Sequence, residues 1–284
     1  MPPMATPTPN NRTASALLAF WGAVRLSLAR LGRTTSMLAV IFMALLPLLI
    51  VVLIAAATWH EPIFHQPAAA QRVYQTILRL VGLHFVAFFI AYILGQAVVR
   101  QDLEDETLHY LFLQPMPRWR LFVARFVAFF LLAGAAVVLG MWLCWLAATV
   151  PWMRPADLFD LLREQGRLAG LLREAGVLLL AVLFYGAAMI AVGSFFRSPF
   201  FAGLLLGWEA GVYYLPRALK YWTGSHYFHS LLPDGGAERR LFELIGEPAG
   251  VGLCLTLIPA ASMVLLAIGA AAFHLRECQY GKTN

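Results

Sequence analysis

The stretch VVRQDLEDETLHYLFLQPMPRWRLFVARF, from Val98 to Phe126, is the most highly charged part of an otherwise apolar chain. It contains a group of carboxylates, then a Pro-x-Pro, then three arginines: Asp102, Glu104, Asp105, Glu106, Arg118, Arg120 and Arg125. A charged side chain at the centre of a bilayer costs ~2.5–3.5 kcal/mol on insertion scales. We therefore expect the stretch to lie outside the hydrocarbon and the long apolar runs on either side of it to cross the membrane.

The composition supports this assignment. Of the 284 residues, 61% are hydrophobic and 13% are charged, whereas soluble domains are roughly a quarter charged. The net charge of +6 comes from basic residues scattered along the chain, which suits anionic lipid headgroups better than nucleic acid. The sequence thus predicts an integral membrane protein with no nucleic-acid partner.

Six apolar runs approach or exceed the roughly 20 residues that a helix needs to cross the hydrocarbon. They cover about 37–59, 76–99, 119–150, 174–196, 199–216 and 249–274. An even number places both termini on the same side of the membrane. We predict an all-α fold with six transmembrane helices in one domain, 15–276, between a disordered N-terminus, 1–14, and a tail, 277–284.

Two further helices are predicted outside the hydrocarbon. Residues 15–33 combine an apolar stripe with arginines on the opposite side, which is typical of a helix lying in the membrane interface. Residues 100–114 form a short amphipathic helix that Pro115 and Pro117 end. Its acidic face holds Asp102, Asp105, Glu106 and His109, and its apolar side holds Leu108, Leu111 and Phe112. The connections 60–73 and 217–248 are polar, and 151–173 is amphipathic.

The charged segment resembles the loop between the second and third spans in permease subunits of type-2 ATP-binding-cassette (ABC) exporters. Those loops commonly read acid-x-acid-x-Gly-Thr-Leu, then Leu-Leu-x-x-Pro, then Arg and Lys. The matching positions here are Asp102, Glu104, Thr107, Leu108, Leu111, Pro115 and Arg118, with Arg125 at the lysine. Glu106 replaces the glycine, so the local backbone bend is not supplied in the same way. The six spans, the interfacial helix and the turn SFFRSPF at 194–200 also resemble that family.

The resemblance implies a role for the loop and a set of partners. The loop would be a cytoplasmic coupling helix that docks on a separate ATPase subunit, present in two copies, which binds ATP and Mg. This chain would then have no catalytic residue, no metal site and no cofactor of its own. It would pair with itself or with a similar permease in the cell inner membrane, with both termini cytoplasmic, and export an unidentified substrate. The alternative is that the segment is a solvated charge run that only stops membrane insertion.

Two other function classes remain open at this point. A non-transporting scaffold would pass ATPase motion to an outer partner through 151–173 and 217–248. A membrane metalloenzyme would use His226 and His229 of HYFH, although ordinary interfacial histidines are the favoured interpretation. The GKT at 281–283 is not a phosphate-binding loop, because the preceding glycine and the following helix are both missing.

Glycines in the predicted fifth span form a ladder that lets another helix approach closely. These are Gly203, Gly207 and Gly211. Packing within the chain and contact with a second copy are both open.

Two polar residues stand inside predicted spans and are candidates for the transport pathway. A carboxylate at membrane depth, such as Glu209, is costly and marks a functional candidate. The simpler alternative places Glu209 near the outer interface, paired with Arg217 or Lys220, and we favour it. For His84 in the second span, packing in the core is the favoured interpretation.

Overall fold

The computed structural model describes residues 9–57, 67–104, 117–150, 167–196, 200–210, 219, 221–232 and 249–280. Every regular element within these ranges is a helix, which confirms the predicted all-α class. Five helices are long and apolar enough to cross a membrane, at Ser36–Ala57, Ala69–Val98, Trp119–Thr149, Arg167–Phe195 and Val251–Ala272.

The helices follow in chain order. They are α1 (Pro9–Gly32), α2 (Ser36–Ala57), α3 (Pro67–Ile77), a π-helical segment (Leu78–Ala87), α4 (Phe88–Glu104), α5 (Arg118–Thr149), α6 (Arg167–Phe195), α7 (Phe200–Ala210), α8 (Gly224–Leu231) and α9 (Val251–Tyr280). Helix α1 begins inside the segment expected to be disordered, and proline suits its first position because the missing N–H has no intrahelical partner there. Helix α9 extends into the predicted tail.

The second predicted span is part of a longer helical rod. Helices α3 and α4 and the π segment follow one another without a gap from Pro67 to Glu104. The predicted polar connection 60–73 therefore already contains helix, and the predicted separate helix 100–114 begins as a continuation of α4. Residues 105–116 lie outside the described part of the chain.

Two other predicted spans are seen only in part or start elsewhere. Of the fifth, 199–216, the described part is α7, which has 11 residues; residues 211–216 lie outside the described part of the chain, so a sixth span stays a prediction. The fourth begins at Arg167 instead of 174, because the end of the amphipathic stretch 151–173 forms the first turns of α6. Within the described residues, the structure thus supports five candidate spans.

The core forms where α4, α5 and α6 meet, with α2 packed on α5 and α9 packed on α6. At the crossing of α2 and α5, a Cβ on Gly140 would overlap the backbone carbonyl of Ala44, so only glycine permits that approach. Helices α2 and α9 are the least buried of the five candidate spans. Their exposed apolar side chains, including Phe42 and Leu253, suit contact with lipid.

The π segment is the least common element of the fold. π-Helix makes up well under 1% of residues in proteins and often occurs at functional sites. Here it spans Leu78–Ala87, and its buried residues include Arg79 and His84. Two basic side chains are thereby placed in the interior of a candidate membrane span.

Candidate functional site

A chain of four polar side chains connects three elements in the interior of the protein. Glu209 is near the end of α7, His84 is in the π segment, and Ser225 and His229 are in α8. All four are buried, with exposed fractions between 1% and 9%. The short helix α8 therefore lies in the interior of the protein, packed among the other helices. It belongs to the segment 217–248, which the sequence predicts to be a polar connection.

The carboxylate of Glu209 is held by the first turn of α8. The backbone N–H of Gly224 donates to Oε1 at 2.9 Å, and that of Ser225 donates to Oε2 at 3.0 Å. The hydroxyl groups of Ser225 and Tyr185 also donate to Oε2, the latter at 3.3 Å. The N-cap residue of α8, Thr223, makes no side-chain cap bond. Glu209 therefore caps α8 from another helix, where the helix dipole favours negative charge.

Gly224 allows this first turn to lie close to α6. A Cβ at position 224 would lie 2.7 Å from Cε1 of Phe184. Around the site, the rings of Tyr185 and Phe228 pack with centroids 5.5 Å apart, and those of Phe88 and Tyr185 with centroids 5.3 Å apart. This aromatic packing keeps the polar chain in an apolar environment, where hydrogen bonds are stronger than in water.

The carboxylate fixes the direction of donation along the chain. An ionised carboxylate can only accept hydrogen bonds, so the Ser225 hydroxyl gives its hydrogen to Glu209. The Ser225 oxygen lies 3.3 Å from Nδ1 of His84 and must accept there, which assigns the hydrogen to Nδ1. In a neutral His84, Nε2 is then an acceptor, and Nε2–H of His229, 2.8 Å away, donates to it. Hydrogens therefore point from His229 through His84 and Ser225 to Glu209.

The histidine end of the chain faces positive charge and other imidazoles. Burial lowers the pKa of His229 well below its usual value, and the neighbouring His84, Arg79 and His226 lower it further. Arg79 is 5% exposed and belongs to the π segment, while His226 is 1% exposed and belongs to α8. His229 is therefore favoured in its neutral form.

The order of the groups separates this site from a hydrolase triad. In a triad, the carboxylate orients a histidine and the histidine takes the proton of the serine. Here Ser225 lies between Glu209 and His84, and its hydrogen is directed at the carboxylate. The arrangement can hold or pass protons, but it does not activate Ser225 as a nucleophile. Among the described residues, no three His, Cys, Asp or Glu side chains form a group that could hold a metal ion.

A second buried polar cluster joins α3, α5 and α6. Arg167 donates two hydrogen bonds to Glu174, at 3.0 and 3.2 Å, and the Tyr74 hydroxyl donates to the same carboxylate at 2.9 Å. The guanidinium also lies over the rings of Tyr74 and Trp145. Arg167 and Glu174 both belong to α6, so it is their contacts with Tyr74 and Trp145 that hold the ends of α3 and α5 against the start of α6.

The predicted coupling residues lie mostly outside the described part. Asp102 and Glu104 are in the last turn of α4, and Arg118 is the first residue of α5, but their side chains are not described. Thr107, Leu108, Leu111 and Pro115 lie outside the described residues. Their coupling role stays a prediction.

The two described glycines of the ladder, Gly203 and Gly207, have no neighbouring atoms close to their Cα atoms on the side-chain side. A Cβ on Gly203 or Gly207 would meet no atom within 4 Å, so no described residue of this chain packs closely there. Gly211 lies outside the described residues.

The structure changes the interpretation of the intramembrane polar residues. Glu209 is buried, and its described partners are the start of α8 and two hydroxyls. The favoured alternative, a position near the outer interface paired with Arg217 or Lys220, stays a prediction, because both of those residues lie outside the described part of the chain. His84 is buried, yet both its ring nitrogens are hydrogen bonded, so it does more than fill the core. His226 and His229 are both buried in the protein, and their predicted position at the membrane interface stays a prediction. Sequence reasoning missed Ser225 and Tyr185 entirely.

Known proteins do not identify the chain. Comparison with protein-family models finds no matching family, and comparison with curated proteins finds no significant match. The function is therefore inferred from the arrangement of the chain's own residues.

Proposed function

We propose that the chain is the permease subunit of an ATP-driven exporter of the ABC type. The observation that carries the proposal is the continuous helix from the buried polar chain to the acidic segment. His84 and Glu104 belong to one rod without a break, and their separation of 20 residues corresponds to about 30 Å. A force applied to the acidic end therefore reaches the buried chain without passing through a flexible joint.

The acidic end is suited to a partner outside the membrane. The segment that follows Asp102 has a helically spaced acidic face and an apolar side, and Pro117 immediately precedes α5 in an extended conformation. In our proposal, the protein lies in a cell inner membrane with both termini on the cytoplasmic side. A cytoplasmic ATPase subunit, which binds ATP and Mg, binds this segment. Tilting of the rod then moves α8 through His84 and Ser225.

The coupling role is tested by charge reversal with a matched control. The chain is co-expressed with a candidate ATPase subunit. One variant carries Glu104→Arg and Leu111→Asp together, and the other carries Asp160→Arg and Leu158→Asp together. The control pair makes the same chemical changes in the predicted outer connection. We expect the first pair to lose copurification with the ATPase and the ATP hydrolysis that depends on the complex, and the control pair to keep both. Unchanged complex and hydrolysis in the first pair would refute the coupling role.

We propose further that α7 contacts a second permease, an identical copy or a similar chain. Gly203 and Gly207 stand one turn apart on an exposed face, beside exposed Phe200 and Leu204. Small residues four apart allow close contact between helices in a membrane.

Crosslinking tests this contact. Leu204→Cys, in a chain otherwise free of cysteine, should form a disulfide-linked dimer in membranes, and Gly207→Leu should abolish the link without changing thermal stability by more than about 0.5 kcal/mol. Crosslinking that persists with leucine at 207 would place the contact elsewhere.

A further inference from the structure

We propose that His229, His84, Ser225 and Glu209 form a proton-binding chain, in which a proton taken up at His229 is delivered to Glu209. The inference goes beyond the proposed export function and does not rest on it. Proton uptake by these residues can be measured in the isolated chain, without ATP, cargo or partner.

The spacing of the chain satisfies what proton transfer requires. The three links are 2.8 Å between the Nε2 atoms of His229 and His84, 3.3 Å from His84 Nδ1 to Ser225 Oγ, and a short bond from Ser225 Oγ to Glu209 Oε2. Imidazole and hydroxyl groups each both donate and accept. Every intermediate member can therefore receive one hydrogen and release another.

The transfer balances one proton at each step. A proton added at Nδ1 of His229 is matched by movement of the Nε2 hydrogen to Nε2 of His84. The Nδ1 hydrogen of His84 moves to Ser225, and the Ser225 hydrogen moves to Glu209. The result is one neutral carboxylic acid at Glu209, with both imidazoles and the hydroxyl still neutral.

Charges at the two ends favour movement in this direction. Around His229 stand His84 and Arg79 from the π segment and His226 from α8, and an arginine is always charged. Around Glu209 stand Tyr185 from α6 and the two N–H groups of α8. A proton is therefore repelled at the Arg79 end and attracted at the carboxylate end.

A shared metal ion fits the histidine pair less well than a shared hydrogen. Zinc lies about 2.0–2.1 Å from each imidazole nitrogen, and tetrahedral geometry would then separate two nitrogens by about 3.3 Å. The observed 2.8 Å is the distance of a hydrogen bond.

Delivery of the proton weakens the attachment of α8. After the transfer, the Ser225 hydroxyl accepts the new O–H of the neutral acid, so that bond is kept with its direction reversed, whereas the two backbone N–H bonds of Gly224 and Ser225 now reach a neutral acceptor and are weaker. The attraction between the carboxylate and the positive end of α8 is also lost. Proton uptake thus loosens α8 from α7.

The test is a pH jump followed by time-resolved infrared spectroscopy of the full chain in lipid nanodiscs. Acidification should produce the carbonyl band of one protonated carboxylic acid, and Glu209→Gln should remove that band. Ser225→Ala breaks the chain while keeping the backbone bonds to Glu209, so the band should appear on the order of a hundredfold more slowly. Ser225→Thr, which retains the hydroxyl, should restore the rate.

A matched control and two contrary results make the test decisive. Ser262→Ala removes another buried hydroxyl, which bonds only within its own helix to Ile258, and it should leave the rate unchanged. The proposal is overturned if acidification yields no band that depends on Glu209, or if the band forms equally fast in Ser225→Ala.

Discussion

Two buried carboxylates of this protein are satisfied in opposite ways. Glu174 is 2% exposed and is paired with the guanidinium of Arg167. Glu209 is 4% exposed, and its carboxylate is hydrogen bonded to two backbone N–H groups and two hydroxyls. Both bind helices together, but only the second is linked by hydrogen bonds to imidazoles, which can each accept one proton and release another.

The different partners of the two carboxylates give them different roles: Glu174 stabilises the fold, and Glu209 can respond to proton uptake. Arginine does not release its proton in proteins, so the contact of Glu174 with Arg167 is an ion pair and not a path for proton transfer. The chain that ends at Glu209 begins at two imidazoles, whose ordinary titration lies near neutral pH. A membrane protein can therefore contain two buried acids of similar burial with different roles, and the partners decide which role each has.

The largest expected effect is at the ion pair. Glu174→Ala leaves the Arg167 guanidinium buried without its carboxylate, and breaking a buried pair in this way costs about 3–5 kcal/mol. Equilibrium unfolding in nanodiscs measures the loss. The triple variant Tyr74→Phe, Arg167→Met, Glu174→Leu removes both charges together with the hydroxyl that would lose its acceptor, and it should recover most of the stability. A single variant as stable as the parent chain would show that the pair does not hold the helices together.

The next effect is the release of α8 in Glu209→Gln. Hydrogen bonds to a charged group contribute about 1.5–3 kcal/mol each. Loss of one such bond therefore raises the fraction of molecules in which α8 is detached from α7 by about tenfold or more. The native thiol of Cys254 reports this opening, because it is buried and lies close enough to Tyr227 of α8 to influence its ionisation. With Cys144 and Cys278 replaced by alanine, a water-soluble maleimide should label Cys254 faster in Glu209→Gln.

The matched control for this labelling is the same substitution at the other acid. Glu174→Gln should destabilise the protein globally but should not selectively expose Cys254 under native conditions. Equal acceleration by both substitutions would remove the distinction between the two carboxylates.

The sequence predicted the membrane-spanning helices well and the site only in part. Long apolar runs define α2, α5, α6 and α9 because length and hydropathy are local properties. Glu209 and His84 were recognised because polar groups at membrane depth are costly.

The rest of the site depends on contacts that are distant in the chain. Ser225 meets His84 across 141 positions, and no local pattern encodes that pairing. GSHYFHSL, residues 224–231, resembles a polar connection because the hydrogen-bond partners of Ser225 and His229 lie on other helices and are met only after α8 is inserted among them. The π segment is likewise set by packing, since its residues suit an ordinary α-helix equally well.

The smallest expected effect is the pH dependence contributed by His229. Its pKa is lowered in the folded protein from an ordinary value of 6.5, so below pH 6.5 the unfolded chain binds a proton that the folded chain does not. Stability should therefore fall as the pH decreases from 6.5 towards the lowered pKa, by up to about 1.4 kcal/mol per pH unit. Above 6.5 this contribution is complete and constant.

Comparison with His229→Gln isolates the contribution of this residue. The variant should show a shallower decrease of the unfolding midpoint between pH 6.5 and 5 than the parent chain. Parallel curves would mean that His229 has no altered pKa in the folded state.

The most direct measurement is the tautomer of His84. Solid-state NMR of chain labelled with ¹⁵N at its seven histidines, with resonances assigned by His84→Gln and His229→Gln, distinguishes a protonated Nδ1 from a protonated Nε2. At pH 8 we predict hydrogen on Nδ1 of His84 and on Nε2 of His229, the pattern in which every donor points towards Glu209. Hydrogen on Nε2 of His84 with a bare Nδ1 would contradict the account, because Ser225 could then not both donate to the carboxylate and accept from the ring.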